Sequence, residues 1–204
     1  MALNRLVPLI SGRILFDGVD TSTLGLKEVR QSISNVPQDA VIYKGTLRYN
    51  LDPFDTVDDA TLRDAMQRAC LSEPEFSLEM ELTQDNLSVG QRSLVSLARA
   101  FVNDTSIMVF DETTAAVELE TDARIQAATR AECARTHKTI LCSAHRLRTI
   151  IGWDRVVVMD NGVVSDFESP LELFDRKGRI FRSMCEHSGI ARDEIVRARE
   201  VERA

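Results

Sequence analysis

NLSVGQRSLVSLARAFVNDTSIMVFDE, residues 86–112, is the stretch from which the rest of the chain is read. Ser88, Val89, Gly90 and Gln91 form an S-x-x-Q pattern ahead of an apolar run. This is a capping box, in which the Ser88 hydroxyl and the Gln91 side chain satisfy the free amides of a helix start. Leu94, Leu97, Ala98 and Phe101 then recur at helical spacing and give one buried face. Asn103-Asp104 stops the helix. Residues 106–110 are a short continuous run that reads as a parallel strand covered on both faces. The run ends in Asp111-Glu112, two acids placed where an open α/β sheet puts its ligand crevice. One such carboxylate can hold a hydrated Mg²⁺ and the other can orient a water, as phosphoryl transfer requires. A helix start with free amides suits an anion. Each feature alone has a plainer reading, as a cap or as a turn; together, about 20 residues apart, they are hard to dismiss as either.

The 204 residues allow one domain, or one domain and a tail. An apolar share of 44% with 28% charged residues is that of a soluble globular protein. The net charge of −7 argues against a nucleic-acid surface. No run approaches the roughly 18 apolar residues of a membrane span. The opening MALNRLVPLISG is too short and too broken by Pro8 for a signal peptide. Cys70, Cys133, Cys142 and Cys185 have no metal-type spacing and read as reduced thiols of a cytosolic protein.

LSVGQ (87–91) followed by Arg92, and IMVFDE (107–112), resemble the signature and Walker B motifs of an ATP-binding cassette (ABC) domain. SGRILFDGVD (11–20) and LKEVRQSISNVPQD (26–39) resemble exporter cassettes. Gln38, within VPQDAVIYKGTLRYNLDPF (36–54), resembles the Q-loop glutamine. TLRYNLDPF (46–54) resembles the second cassette of the C-subfamily, the multidrug-resistance-associated and conjugate exporters. TTAAVELETD (113–122) resembles the D-loop, with departures at Thr113 and Glu118, and His145 in SAHRLRTI (143–150) resembles the switch histidine.

The resemblance implies an α/β fold: a P-loop NTPase (RecA-like) core with an α-helical subdomain. Residues 1–188 would be the nucleotide-binding domain and 189–204 a charged, solvated helical tail. Residues 2–10 would be the last turns of a helix. The phosphate-loop pattern GxxxxGK[ST] is absent, and none of Lys27, Lys44, Lys138 and Lys177 sits in a glycine-rich turn. The expectation is therefore a cassette truncated before that loop and without ATPase activity alone.

In the family, two cassettes join head to tail around two ATP molecules. Carried over, Asp111 holds Mg²⁺ through water, with Gln38 as a second Mg²⁺ contact. Glu112 is the general base, while Gln38 and His145 position water and γ-phosphate. Ser88, Val89, Gly90 and Gln91 contact the ATP of the partner cassette. The implied partners are that cassette and the transmembrane domains of an exporter, with no nucleic acid. The implied location is the cytoplasmic face of a membrane, the chain by itself being cytosolic. The alternative is an incompetent cassette that acts only as a dimerisation module, or a fragment of a larger transporter. The transported substrate is left open.

Overall fold

Asp17 and Gly18 both take positive φ, 47° and 83°, as a two-residue hairpin turn requires. They join β1 (Leu15–Phe16) to β2 (Val19–Asp20), which pair antiparallel. The computed structural model describes residues 1–72, 74–103, 105–111, 117–144 and 146–203. These form two compact units, 1–143 and 144–204.

In the first unit, α1 (Leu26–Gln31) leads into β3 (Ile33–Val36). A short strand, β4 (Gly45–Thr46), runs into α2 (Leu47–Leu51), which Thr46 caps by accepting from the Tyr49 amide. Asp58 likewise caps α3 (Asp59–Arg68), whose buried face is Leu62, Ala65 and Met66. β5 (Glu81–Leu82) pairs antiparallel with β4 and delivers the chain to α4 (Val89–Val102). β6 (Ile107–Asp111), α5 (Leu119–Thr136) and β7 (Thr139–Ser143) complete the unit.

β3, β6 and β7 form a parallel sheet with β6 in the middle. α4 crosses back over it, fixed at its carboxyl end by the Ser34 hydroxyl, which donates to the Ala100 carbonyl at 3.3 Å. The core of this unit is built on Leu47, Leu62, Leu82, Leu97 and Met108, all fully buried.

Two expectations change here. β6 is not covered on both faces: Met108 and Phe110 are buried, whereas Ile107 and Val109 are only half-buried. Val109 borders an open cavity, so an apolar run taken as two-sided is one-sided in these residues. Residues 2–10 form no helix. Met1 to Leu6 close a single turn through Arg5 N–H to Ala2 O and Leu6 N–H to Met1 O, and Arg5 ends it in the left-handed region at φ 49°. One turn fixes several dihedrals for few hydrogen bonds and does not propagate. Arg5 instead donates to the Thr21 and Leu24 carbonyls.

α5 carries Ile125 and Ala128 inward, as expected, and stops at His137, a left-handed cap at φ 53°. A side chain with a Cβ is strained there and glycine is not. His137→Gly is expected to raise stability by about 0.5–1 kcal/mol, read as a higher urea midpoint at unchanged slope.

The second unit contains α6 (Leu147–Ile150), the hairpin of β8 (Val156–Asp160) and β9 (Val163–Glu168), then α7 (Pro170–Asp175), α8 (Ile180–His187) and α9 (Arg192–Arg203). Asn161-Gly162 makes the hairpin turn with both φ positive, and Ser169-Pro170 starts α7 as cap and first residue. The tail expected from 189 to 204 is helical but not merely solvated. Ile190 and Ile195 are buried with Leu173, Phe181 and Cys185, within the second compact unit. The weak amphipathy of α9 concealed one buried position, Ile195. Among the described residues, no helix is long and apolar enough to cross a membrane.

Candidate functional site

Residues at the carboxyl ends of parallel strands come together because register is fixed along the whole ladder. Val36 pairs with Phe110, which brings Gln38, two residues beyond β3, to the same end of the sheet as Asp111. Gln38 is exposed in the loop that follows β3. Asp111 pairs in register with Ser143, and the Ser143 hydroxyl donates to Asp111 Oδ1 at 3.0 Å. The carboxylate is thereby oriented, while its Oδ2 has no partner among the described residues. A cavity of about 480 Å³ opens at this end, with Asp111, Val109, Val36, Pro37 and Asn35 among its lining residues.

An oriented, exposed carboxylate suits a hard, partly hydrated cation such as Mg²⁺, and the Gln38 amide is exposed at the same end of the sheet. Among the described residues, three or more His, Cys, Asp or Glu do not cluster as a protein-only metal cage would require. Glu112, His145 and the D-loop residues 113–116 lie outside the described residues. Glu118 is described as the residue preceding α5 and makes no side-chain cap.

The capping box forms as the spacing predicts. Ser88 Oγ accepts from the Gln91 amide at 3.1 Å, and Gln91 Oε1 accepts from the Ser88 amide at 2.8 Å. Gln91 Nε2 also donates to Glu75 Oε1 at 3.0 Å, which fixes the side chain. With the third amide taken by Ser88, those of Val89 and Gly90 remain to meet an anion at the helix start. Gly90 has a steric reason as well: a Cβ there would lie 2.9 Å from Thr121 Cγ2. The α4 start therefore rests against the first turn of α5, and any larger residue would lift it.

Ser88 is 12 residues before Ala100, the point where α4 is bonded to β3, or about 18 Å along the axis at 1.5 Å per residue. α4 packs against α2, α3, β3 and α5.

Sequence reasoning missed Ser143, Gln84, Asn50 and Arg99. Ser143 becomes visible only through the register of β6 on β7. The other three grip the chain that follows Gln38. Asn50 is fully buried: its Oδ1 accepts from the Tyr43 amide, and its Nδ2 donates to the Tyr43 and Thr46 carbonyls. Arg99 Nε donates to the Asn50 carbonyl at 2.7 Å, and the guanidinium lies over the Tyr43 ring. Burial pushes the Arg99 pKa down from its ordinary value, with the Tyr43 hydroxyl acting slightly the other way.

Comparison with known proteins places these features. The model of the ABC transporter family matches residues 1–115. The chain is 48% identical to the multidrug resistance protein fer6 of Mycosarcoma maydis, over 92% of this chain and 14% of that protein. It is 40% identical to the oligomycin resistance ATP-dependent permease YOR1 of Saccharomyces cerevisiae, over 95% of this chain and 15% of that one. The ATP-binding cassette sub-family C member 2 of Rattus norvegicus is 39% identical over 92% of this chain and 12% of its own length. A bacterial Atm1-family ABC exporter solved with ATP bound superposes with a TM-score of 0.83 at 30% identity, covering 93% of this chain and 34% of that chain. The chain thus spans about a seventh of the length of the curated relatives it matches.

Proposed function

The chain belongs to the ABC transporter family, and from that premise we propose that it serves as a nucleotide-binding cassette of a C-subfamily exporter, coupling ATP binding and hydrolysis to transport. The observation that carries the reading is Asp111, oriented by Ser143 at the carboxyl end of the central parallel strand, beside an open cavity and at the same end of the sheet as Gln38. Mg-ATP, when bound, supplies the phosphoanhydride to be cleaved and the cation that neutralises its charge.

The chain's own residues divide the remaining work. Asp111 would hold the hydrated cation, with Gln38 as a second residue for cation and water. Glu112 takes the proton from the attacking water and His145 steadies the γ-phosphate oxygens. Ser88, Val89, Gly90 and Gln91 act on a different molecule of ATP, the one held by a partner cassette. The family resemblance supports this: in the family each site is completed by a second cassette turned head to tail. The family resemblance extends the partnership to transmembrane domains, with the cassette at the cytoplasmic face.

The test separates the two halves. The 204-residue chain alone is expected to turn over no Mg-ATP, because it holds no GxxxxGK[ST] lysine. Mixed with a C-subfamily first cassette that carries that motif, it is expected to form an ATP-dependent heterodimer by analytical ultracentrifugation, lost in Ser88→Arg. Turnover by the chain alone that vanishes in Glu112→Gln would overturn the expected inactivity while keeping Glu112 as the base; a heterodimer indifferent to ATP and to Ser88→Arg would overturn the cassette reading.

A further inference from the structure

We infer that Gln84 and Arg99 are positioning residues that lock the chain just after Gln38 to the signature turn, so that the two move as one body. This rests on the cassette reading above for its meaning, but its geometry stands independently of any nucleotide. Residues 40–44 have no helix or strand of their own. A backbone without a ladder must satisfy its polar groups elsewhere, and here side chains do it.

Gln84, in the short segment between β5 and α4, pairs with this stretch as a strand backbone would. Its Oε1 accepts from the Ile42 amide at 3.0 Å, and its Nε2 donates to the Ala40 carbonyl at 3.4 Å. Arg92, in the first turn of α4, holds Gln84 in place by donating to its carbonyl at 3.0 Å and to that of Leu87 at 2.7 Å. Arg99, about two turns further along α4, donates to the Val41 carbonyl at 3.2 Å and to Asn50 Oδ1 at 3.3 Å, besides the Asn50 carbonyl.

Arg99 spends its charge wholly on neutral acceptors; among the described residues it has no carboxylate partner. An ion pair would tolerate sliding, whereas several directed bonds to one loop and a ring contact fix its place relative to α4. Ala40, Val41, Ile42 and Tyr43 therefore take their positions from Gln84, Arg99 and Asn50. Any displacement of the signature turn, carried by Arg92 and Gln84, reaches Ala40 two residues from Gln38. An event at the partner's ATP, sensed by Ser88–Gln91, is thus relayed to the chain's own Q-loop glutamine.

The experiment uses the full 204-residue chain and no nucleotide. Ser88→Ala removes the α4 cap and serves as a small push on the signature turn. Amide chemical shifts and hydrogen exchange of Val41, Ile42 and Tyr43 report its arrival. In the parent chain, Ser88→Ala is expected to shift these amides and speed their exchange. In Gln84→Asn, one methylene shorter, and in Arg99→Lys, which keeps the charge but not the fork, that response is expected to fall to about half or less. A role confined to stability would lower the urea midpoint and leave the response to Ser88→Ala unchanged, which would overturn the inference. So would a parent chain in which Ser88→Ala leaves the three amides unmoved. Since no ATP is involved, loss of this relay would leave the heterodimer result standing, and the reverse.

Discussion

Glu132→Ala is expected to cost about 3–5 kcal/mol of stability, the loss that follows when one member of a buried ionic cluster is removed. Glu132 lies inside the first unit with a side chain 1% exposed. Arg68 from the end of α3 meets it at 2.7 Å, Arg135 one turn along α5 at 2.9 Å, and the buried Lys138 at 3.6 Å. Arg68 also donates to the Phe101 carbonyl and stacks on its ring, while Lys138 donates to the Asn103 carbonyl. The cluster therefore ties α3, the end of α4, α5 and the approach to β7 at one point. Alanine withdraws the carboxylate from Arg68 and Lys138 while leaving both charges where they are.

The same group sets an acid limit. Burial opposes the charge on Glu132, but hydrogen bonds from Arg135 and Arg68, with their charges, outweigh it and hold its pKa below the ordinary 4.5. A carboxylate depressed on folding contributes stability that is fully present above its unfolded value and is lost as pH falls through the folded value. Urea midpoints measured downward from pH 6 should therefore fall in the parent chain below about pH 4.5. The slope should flatten in Glu132→Gln, which carries no proton-linked charge at that site. Equal slopes in the two proteins would show that other carboxylates set the limit.

Asn50→Ala is the second large effect, expected at about 3 kcal/mol. It strands the Tyr43 amide, the Tyr43 carbonyl and the Thr46 carbonyl, each costing about 1–3 kcal/mol when buried without a partner, less what entering water recovers. Asn50→Asp discriminates the mechanism. It is nearly isosteric and still accepts from the Tyr43 amide and Arg99, but it presents an acceptor to two carbonyls. It should lose most of what alanine loses, despite gaining a charge beside Arg99. Full retention of stability in Asn50→Asp would mean that the Arg99 contact, not the amide donor, holds residues 41–46.

What could be read in the sequence was whatever is local and repeats with a known period. The Ser88/Gln91 box, the turns at Asp17-Gly18 and Asn161-Gly162, the Ser169-Pro170 start and the inward Ile125 and Ala128 all depend on residues within a few positions of one another. That Gln38 and Asp111 belong together came from the family resemblance; the β3–β6 pairing and the relation of Asp111 to Ser143 needed a register no pattern encodes. Gln84 and Arg99 reach the 40–43 stretch across 42 to 58 residues, as single polar side chains in segments whose apolar spacing already had an explanation. Glu132 was hidden for the same reason: a glutamate amid charged residues of α5 looks solvated until Arg68, 64 positions away, is placed on it. Ile195 shows the converse error, an apolar residue in a charged helix that was read by its neighbours' polarity.

The turn that joins β8 to β9 carries a chemical clock. Asn161 precedes a residue with no side chain to shield its amide nitrogen, and both residues are held at positive φ in an exposed loop. Attack of the Gly162 nitrogen on the Asn161 side-chain carbonyl expels ammonia and closes a succinimide ring, which water then opens to aspartate or isoaspartate. Today the Asn161 amide donates to Asp160 Oδ1 at 3.1 Å. After the reaction a carboxylate faces that carboxylate, and a chain already at −7 gains one more negative charge. Isoaspartate also adds a methylene to the backbone between two strands whose pairing the turn defines. Old preparations of the protein will therefore separate by charge before they differ in fold, and the second species will be marked at this hairpin.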